Sequence, residues 1–584
     1  MTYGVTILCV MMILASSPAW GQVAPVIPPP LPPERPALPK EVPPSRPPAT
    51  VLPPVPLPPE EDRGKQFPDL RVVVRQVLVT GSTVLTQEEV TKIVGPYLNR
   101  EVTSEDLEAL RLALTLAYVN KGYATSGAII PDQTVAGGVI TFQIIEGRLT
   151  GIEVEGNEWF RSGYIQDRLA LGAGPPLNVN PLQERLQLLQ QDDRIQRVNA
   201  ELKPGVNPGE SVLKVRMAEA SPYKAWLEFN NYQSPTVGAE RGLFTVAHQN
   251  LTGNGDSLSF RYGRSEGVDP QIETRYSLPL NAHDTTLILQ YRKNVFLVID
   301  PSFIDLGIKS ESEIYGVTIR HPVYRSLNQE FALALTGEHL ANRISVPDFD
   351  GELFAVGSRG GESVISAFRF SQEWVHRTPN QVIAANSRFS AGFDLFGAVV
   401  NSDRVLTVAG GNAVERRIPD GQFFAWLGQL QYARRLDPWG IQIIGRVDCQ
   451  LANDRLFPLE QISVGGRYTV RGYRENTFVR DDGLLASLEF RIPAVRSAAG
   501  QDIIQVAPFV DFGRSWTRKP NYVDGENDHG DTITSAGLGL IWIIAGGSRF
   551  ESYWGKRLNR VPVPERGKDI QDFGFHLQLV IEVL

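Results

Sequence analysis

Phe573-Gly574-Phe575-His576-Leu577-Gln578-Leu579-Val580-Ile581-Glu582-Val583-Leu584 closes the chain, and its alternation decides the fold. Phe573, Phe575, Leu577, Leu579, Ile581 and Val583 share one face at a period of two, and His576, Gln578 and Glu582 share the other. Upstream the same division recurs. Leu287, Leu289 and Tyr291 oppose Gln290 and Arg292, and Leu484, Ala486, Leu488 and Phe490 oppose Ser487, Glu489 and Arg491. Alternation alone fits a soluble sandwich with its apolar face inward, or a membrane barrel with that face toward lipid.

The connections separate the two readings. Sixteen strand patterns run from Lys224–Tyr232 to Phe573–Leu584, and no helical pattern interrupts them from Pro222 onward. Short turns such as Leu251–Gly255, Leu280–Asp284, Arg325–Asn328 and Leu436–Gly440 alternate with long loops near 293–312, 341–361, 397–421, 452–482, 515–531 and 555–572. An even strand count with short turns on one rim and long loops on the other is the layout of an outer-membrane β-barrel. Sixteen strands enclose an aqueous lumen unless something plugs it.

Composition agrees. The 584 residues carry 57 Lys and Arg against 65 Asp and Glu, a formal charge of −8, which disfavours nucleic acid as a partner. A mean hydropathy of −0.15 is too polar for a bundle of membrane helices, each of which needs about 20 apolar residues. The two cysteines, Cys9 and Cys449, exclude a disulfide framework and a cysteine-based metal cluster.

The N-terminus reads as an export signal over residues 1–21. Val5–Ala15 is its apolar core and Ala19-Trp20-Gly21 supplies small residues at the cleavage positions. A Pro-rich linker follows over 22–67, and 17 of the 38 residues from Gln22 to Pro59 are proline, so that stretch is expected to be a polyproline II tether. Two units of one βααββ plan come next, at 68–149 and 150–221. In the first, Leu70–Val79 reads as a strand, Thr86–Leu98 and Ser104–Asn120 as helices, and Thr125–Ile130 and Val139–Glu146 as strands. The second helix has its apolar stripe at Leu107, Leu110, Leu114 and Val119. In the second unit Gly151–Val154, Ser162–Leu169, Asn180–Gln190, Asn199–Lys203 and Ser211–Met217 repeat the order. Each unit should expose a sheet edge able to add an extended peptide. The barrel occupies 222–584.

Two motifs lie where a channel would be gated. Within the loop 452–482 sits Gly465-Gly466-Arg467-Tyr468-Thr469-Val470-Arg471-Gly472-Tyr473, whose glycines suit a tight reversal. In Phe509-Val510-Asp511-Phe512-Gly513, alternation puts Phe509, Asp511 and Gly513 on one face. An ionised Asp511 toward lipid is costly, so that face is expected to line the lumen, where Arg471 could reach it.

At these residues the chain resembles the outer-membrane transporters of two-partner secretion, the haemolysin- and filamentous-haemagglutinin-exporting type, within the superfamily of POTRA-bearing barrels. Tyr118–Tyr123 with Ile130–Gln133 is similar to that family's first POTRA domain, and Leu186–Leu202 with Pro204-Gly205 to its second. Val470-Arg471-Gly472-Tyr473 matches its lumenal-loop motif and Phe509–Gly513 its F-x-D-x-G strand motif, so the resemblance spans residues 70–584. It implies two periplasmic POTRA domains and a 16-stranded barrel in the outer membrane of a Gram-negative-type bacterium. It implies a secreted partner exoprotein of adhesin or haemolysin kind, with periplasmic chaperones and the barrel-assembly machinery as further contacts. By motif match the roles of holding the gating loop fall on Arg471 and Asp511.

The chain departs from the family pattern twice. Where members begin with a helix that threads the pore, this N-terminus is Pro-rich, and the last residues are Val583-Leu584 in place of an aromatic end. No phosphate-binding loop, catalytic motif, cofactor or metal is expected, so passenger folding outside the cell is the implied driving force. The competing readings are an outer-membrane protein assembly or insertion factor of the same superfamily, a passive porin and an outer-membrane hydrolase. Room for only two POTRA units counts against the first, and the tandem units themselves count against the porin. The seven histidines stand in no H-E-x-x-H or G-x-S-x-G context, which counts against the hydrolase.

Overall fold

The computed structural model describes residues 71–347, 356–401, 418–436, 438–518, 529–562 and 567–584. The expected signal peptide and Pro-rich tether lie outside these residues, as do parts of the expected long loops.

The first unit opens with β1 (Arg71–Val74) and β2 (Gln76–Thr80), where a single strand Leu70–Val79 was expected. The break at Arg75 sends the halves to different partners. β1 pairs antiparallel with β3 (Arg100–Thr103), a four-residue strand too short to read from sequence, while β2 pairs parallel with β5 (Val139–Ile145). Helix α1 (Gln87–Val94) starts at Thr86, whose hydroxyl accepts from the Glu89 N–H while the Glu89 carboxylate accepts from the Thr86 N–H. Helix α2 (Ser104–Asn120) uses Thr103 and Asp106 in the same way. Such reciprocal caps satisfy N-terminal donors that the helix itself leaves free. The stripe buried by α2 is Leu107, Leu110, Leu114 and Tyr118; Tyr118 takes the place expected for Val119 because steps of three and four residues keep to one face. β4 (Gly127–Ile129) completes the sheet in the order β2-β5-β4.

The second unit repeats the plan with β6 (Arg148–Glu155), α3 (Ser162–Ala170), α4 (Val179–Gln190), β7 (Ile195–Pro204) and β8 (Glu210–Glu219). Its sheet order is β6-β8-β7, again one parallel and one antiparallel pairing. Ile165, Leu169, Leu182 and Leu186 are fully buried between helices and sheet. β6 begins at Arg148, beside the expected boundary at 149/150. The units abut: Leu177 N–H donates to Gly147 O at 2.7 Å and Val179 N–H to Gly122 O at 2.9 Å.

The barrel has sixteen antiparallel strands, each overlapping one of the sixteen expected. They are β9 (Tyr223–Asn230), β10 (Arg241–His248), β11 (Ser257–Ser265), β12 (Val268–Pro279), β13 (Thr286–Leu297) and β14 (Lys309–Arg325). Next come β15 (Gln329–Ser345), β16 (Glu362–Thr378), β17 (Gln381–Phe393), β18 (Phe424–Leu436) and β19 (Ile441–Ala452). A short hairpin, β20 (Ile462–Val464) with β21 (Phe478–Arg480), interrupts the series, followed by β22 (Asp482–Arg496), β23 (Asp502–Trp516), β24 (Asp531–Ile543), β25 (Arg549–Arg557) and β26 (Phe575–Glu582). β26 closes the barrel on β9, from Gln578 opposite Asn230 to Glu582 opposite Trp226.

The faces follow the parity of the sequence. Leu289, Leu488, Val510 and Phe575 are exposed on the outer, lipid-facing wall, whereas Glu489, Asp511 and His576 are buried toward the lumen. Strand ends differ from expectation where the apolar band stops. β13 and β14 run on through polar rungs, tied by Lys293 to Glu313 at 2.7 Å, and shorten the expected loop 293–312 to residues 298–308. β26 starts at Phe575 instead of Phe573, because Ile570–Phe573 is a helical turn ended by Gly574 at φ 85°.

Candidate functional site

The long connection between β19 and β22 does not stay outside the barrel. Its β20–β21 hairpin packs Ile462, Val464, Val470 and Tyr473 against Leu485 of β22 and Ile533 of β24, all buried. The hairpin itself went unseen in the sequence, since its three-residue strands carry no readable period. Between them the chain reverses and presents Arg471 to β22 and β23.

Arg471 and Asp511 meet side on. Arg471 Nε donates to Asp511 Oδ2 and Nη2 to Oδ1, each at 2.8 Å, and the Arg471 backbone N–H donates to Oδ2 at 2.9 Å. Ser487 Oγ donates to Asp511 Oδ1 at 2.7 Å, so this carboxylate accepts four hydrogen bonds. Arg471 Nη1 also donates to Glu489, and the guanidinium lies over the Phe509 ring, 3.6 Å from its centroid. Both charges are out of water, at 3% exposure for Arg471 and 0% for Asp511. Planar bidentate pairing over an aromatic face is a geometry that arginine has and lysine lacks.

The remaining motif residues make this approach possible. Val470 fills the space over Gly513, where a Cβ would come within 2.7 Å of Val470 Cγ2 and 2.5 Å of Val464 Cγ1. Gly472 adopts φ 90°, and a Cβ there would stand 2.5 Å from Gly555 O, so only glycine lets the loop backbone lie on β25. Its N–H donates to His576 Nε2 at 3.1 Å, which leaves the ring proton on Nδ1. Tyr473 OH donates to Thr534 O at 2.9 Å and accepts from Asn559 N–H at 3.1 Å.

Residues outside the two motifs complete the contact. Glu489 and Ser487 were visible as lumen-facing positions of their strand but carried no sign that both would meet Arg471. Arg474 pairs bidentately with Asp572, with Nε to Oδ1 at 2.7 Å, and Arg467 Nη2 pairs with Glu551 Oε2 at 2.6 Å. Arg549 also pairs with Glu551 at 2.7 Å, so Arg467, Arg471, Arg491 and Arg549 meet the carboxylates of Asp511, Glu489 and Glu551. Only the folded barrel brings these side chains together, from five separate segments.

At the opposite rim the second unit docks on the barrel turns. Arg168 Nη2 pairs with Asp284 Oδ1 at 2.6 Å, Arg325 pairs with the other Asp284 oxygen, and Arg161 N–H donates to Gly253 O at 2.9 Å. Arg194, held by Asp192 at 2.6 Å, donates to the carbonyls of Gly255 and Gln249. Burial alone would raise the Asp192 carboxyl, but Arg194 outweighs it and holds it below the usual carboxylate range.

Comparison with known proteins bears on this arrangement. Residues 209–541 match the profile of the family described as haemolysin secretion/activation protein ShlB/FhaC/HecB. The chain belongs to this family. Residues 72–147 separately match the ShlB-type POTRA domain. Among relatives of the haemolysin secretion/activation family, the outer membrane transporter CdiB of Escherichia coli O6:K15:H31 is 25% identical over 496 residues, 84% of this chain and 78% of that one. The hemolysin transporter protein ShlB of Serratia marcescens is 22% identical, over 74% of this chain and 76% of that protein. The solved structure of CdiB from Escherichia coli superposes with a TM-score of 0.63 at 20% identity, covering 90% of this chain and 93% of that chain. BamA from Haemophilus ducreyi, lacking POTRA domains 1–3, superposes at 0.52 with 13% identity over 88% of this chain and 99% of that one, a likeness of fold alone. The protein is thus an outer-membrane transporter of the secretion/activation type, with its POTRA units on the periplasmic side. That orientation puts the short turns and the Arg168–Asp284 dock in the periplasm and the β19–β22 loop at the outer rim, folded inward.

Proposed function

We propose that the POTRA units capture an unfolded, exported partner by strand addition and that the barrel passes it outward once the lumenal loop is released. The partner is a secreted exoprotein of adhesin or haemolysin kind. Periplasmic chaperones deliver it, and the barrel-assembly machinery inserts the transporter beforehand. The domains act as POTRA 1 over 68–149, POTRA 2 over 150–221 and pore over 222–584. The latch is Val470, Arg471, Gly472 and Tyr473 of the loop seated on Phe509, Asp511 and Gly513 of β23. The observation that carries the reading is the fourfold engagement of buried Asp511, three of its bonds coming from Arg471.

Free sheet edges support the capture step. β2 and β4 are edges of the first sheet, and β6 and β7 of the second. β7 starts at Ile195, one residue after Arg194 reaches the barrel turns, so a strand added along β7 has one end at the pore mouth. The test is secretion per inserted barrel after deletion of residues 71–219. Loss of secretion with a heat-modifiable barrel still in the outer membrane is the expected result, and normal secretion would reduce the protein to a simple pore.

A further inference from the structure

The lumenal loop is fastened a second time, far from Asp511. Where it leaves β19 it forms the turn Pro458–Glu460, and Leu456, Phe457 and Leu459 pack into the wall of β14–β18 against Leu340, Ile365 and Phe423. Beside that packing Glu460, 6% exposed at its side chain, meets Arg369 of β16. The pair is bidentate: Arg369 Nη2 to Glu460 Oε1 at 2.6 Å and Nη1 to Oε2 at 2.9 Å. β16 stands five strands round the barrel from β23, so the loop is held to two separate parts of the wall.

The wall around Arg369 is unbalanced. Arg369 Nε also pairs with Glu338 of β15 at 2.6 Å, and Arg292 of β13 reaches the same Glu338 at 3.2 Å. Arg388 of β17 adds a third guanidinium within electrostatic reach of Arg369, Glu338 and Glu460, and among the described residues its buried Nε has no hydrogen-bond partner. Among the described residues, Glu338 is thus shared by Arg292 and Arg369 and lies within electrostatic reach of Arg388, and Glu460 of the loop supplies a second carboxylate to the cluster. When the loop leaves, its carboxylate leaves and water takes its place, so the guanidinium groups keep a hydrated, net positive site that favours any carboxylate within reach.

We propose that Glu460 is an exchangeable second clasp, seated in a carboxylate-binding site of Arg292, Arg369 and Arg388, and that acidic side chains of the chain in transit replace it as the loop withdraws. The proposal rests on the secretion reading above. Its test, however, needs no passenger, so the two can fail separately.

The experiment uses the full-length protein in planar bilayers. Glu460→Gln keeps the shape and removes the charge, and openings to the large-conductance state should become about tenfold more frequent, the effect of losing one buried ionic contact in part. In a KCl gradient the open channel should prefer chloride, and Arg388→Gln should shift the reversal potential toward zero. With the unaltered protein, a short oligoglutamate peptide on the periplasmic side should raise the opening frequency and an oligolysine peptide should not. This peptide comparison carries the test if Glu460→Gln does not yield a heat-modifiable barrel. Unchanged opening in Glu460→Gln, or equal responses to the two peptides, overturns the proposal.

Discussion

Replacing Arg471 should damage the closed lumen more than replacing Asp511, and the structure sets the order. Asp511→Ala removes one carboxylate, but Arg471 keeps Glu489 and its place over Phe509. Arg471→Ala strips a guanidinium from both carboxylates: Glu489 keeps Arg491, but Asp511, 0% exposed, retains only the Ser487 hydroxyl and the backbone N–H at position 471. Removing one partner of a buried pair costs about 3–5 kcal/mol. We assign the lower end, about 3 kcal/mol, to Asp511→Ala and the upper end to Arg471→Ala. At about 1.4 kcal/mol per factor of ten, the loop-in state loses roughly a hundredfold in the first and more than a thousandfold in the second. Arg471→Lys keeps a charge but cannot hold two oxygens of Asp511 and one of Glu489 from a rigid fork, so about tenfold is expected.

The assay is passenger secreted per heat-modifiable barrel, with single-channel recording as the direct readout of loop release. Coupling makes the double change Arg471→Ala/Asp511→Ala less damaging than the sum of its parts, because each single change strands what the double removes. Two outcomes refute the reasoning. One is additive defects. The other is Arg471→Lys behaving as wild type in both assays, which would mean that the guanidinium geometry is irrelevant to the closed state.

Gly513→Ala should displace Val470 and impair gating, and adding Val470→Ala should restore part of it, since a Cβ at 513 meets Val470 Cγ2 at 2.7 Å; channel recordings of the single and double variants check this. Leu110→Ala in α2, fully buried, should cost the first unit about 2–5 kcal/mol, read by urea unfolding of residues 71–219. The Asp192–Arg194 arm of the dock between the second unit and the barrel should resist acid. A depressed carboxyl contributes stability above its unfolded pKa and loses it as pH falls through the folded value. Asp192 should therefore hold Arg194 from pH 7 to about 4 and weaken only below that, measurable as release of the unit in limited proteolysis.

What could be read from the sequence tracks the range of the interactions involved. Period-two alternation is local, so all sixteen strands and the lumenal side of Asp511 were legible. Strand ends were not, because β13 and β14 continue past the lipid band on polar rungs whose pairing partners lie across the sheet. β3 and the β20–β21 hairpin escaped for a related reason: each is three or four residues long and exists only through a partner elsewhere. At the site, the Arg471–Asp511 contact was foreseeable from parity and reach. The roles of Glu489, Ser487 and His576 depend on where the loop backbone lies against β22 and β26, and no local pattern encodes that.

If the loop is the gate proposed above, the use of charge in both fastenings has a physical consequence for its opening. An apolar seat of equal area loses its hydrophobic contribution when the loop withdraws, and its greasy face is then left in water. A buried ion pair behaves differently. With the lumen closed, Arg471 and Asp511 interact in a dry setting where attraction is strong and both charges need each other. As the loop begins to move and water enters, the dielectric rises, the attraction weakens severalfold, and hydration replaces each partner's lost contact. The closed state is thus sharply defined, while the open state is not burdened by stranded charges. The wall around Arg369 extends this logic. There, on the proposal made above, acidic side chains of the chain in transit would replace Glu460 alongside water, so departure of the loop and entry of the passenger would become one exchange.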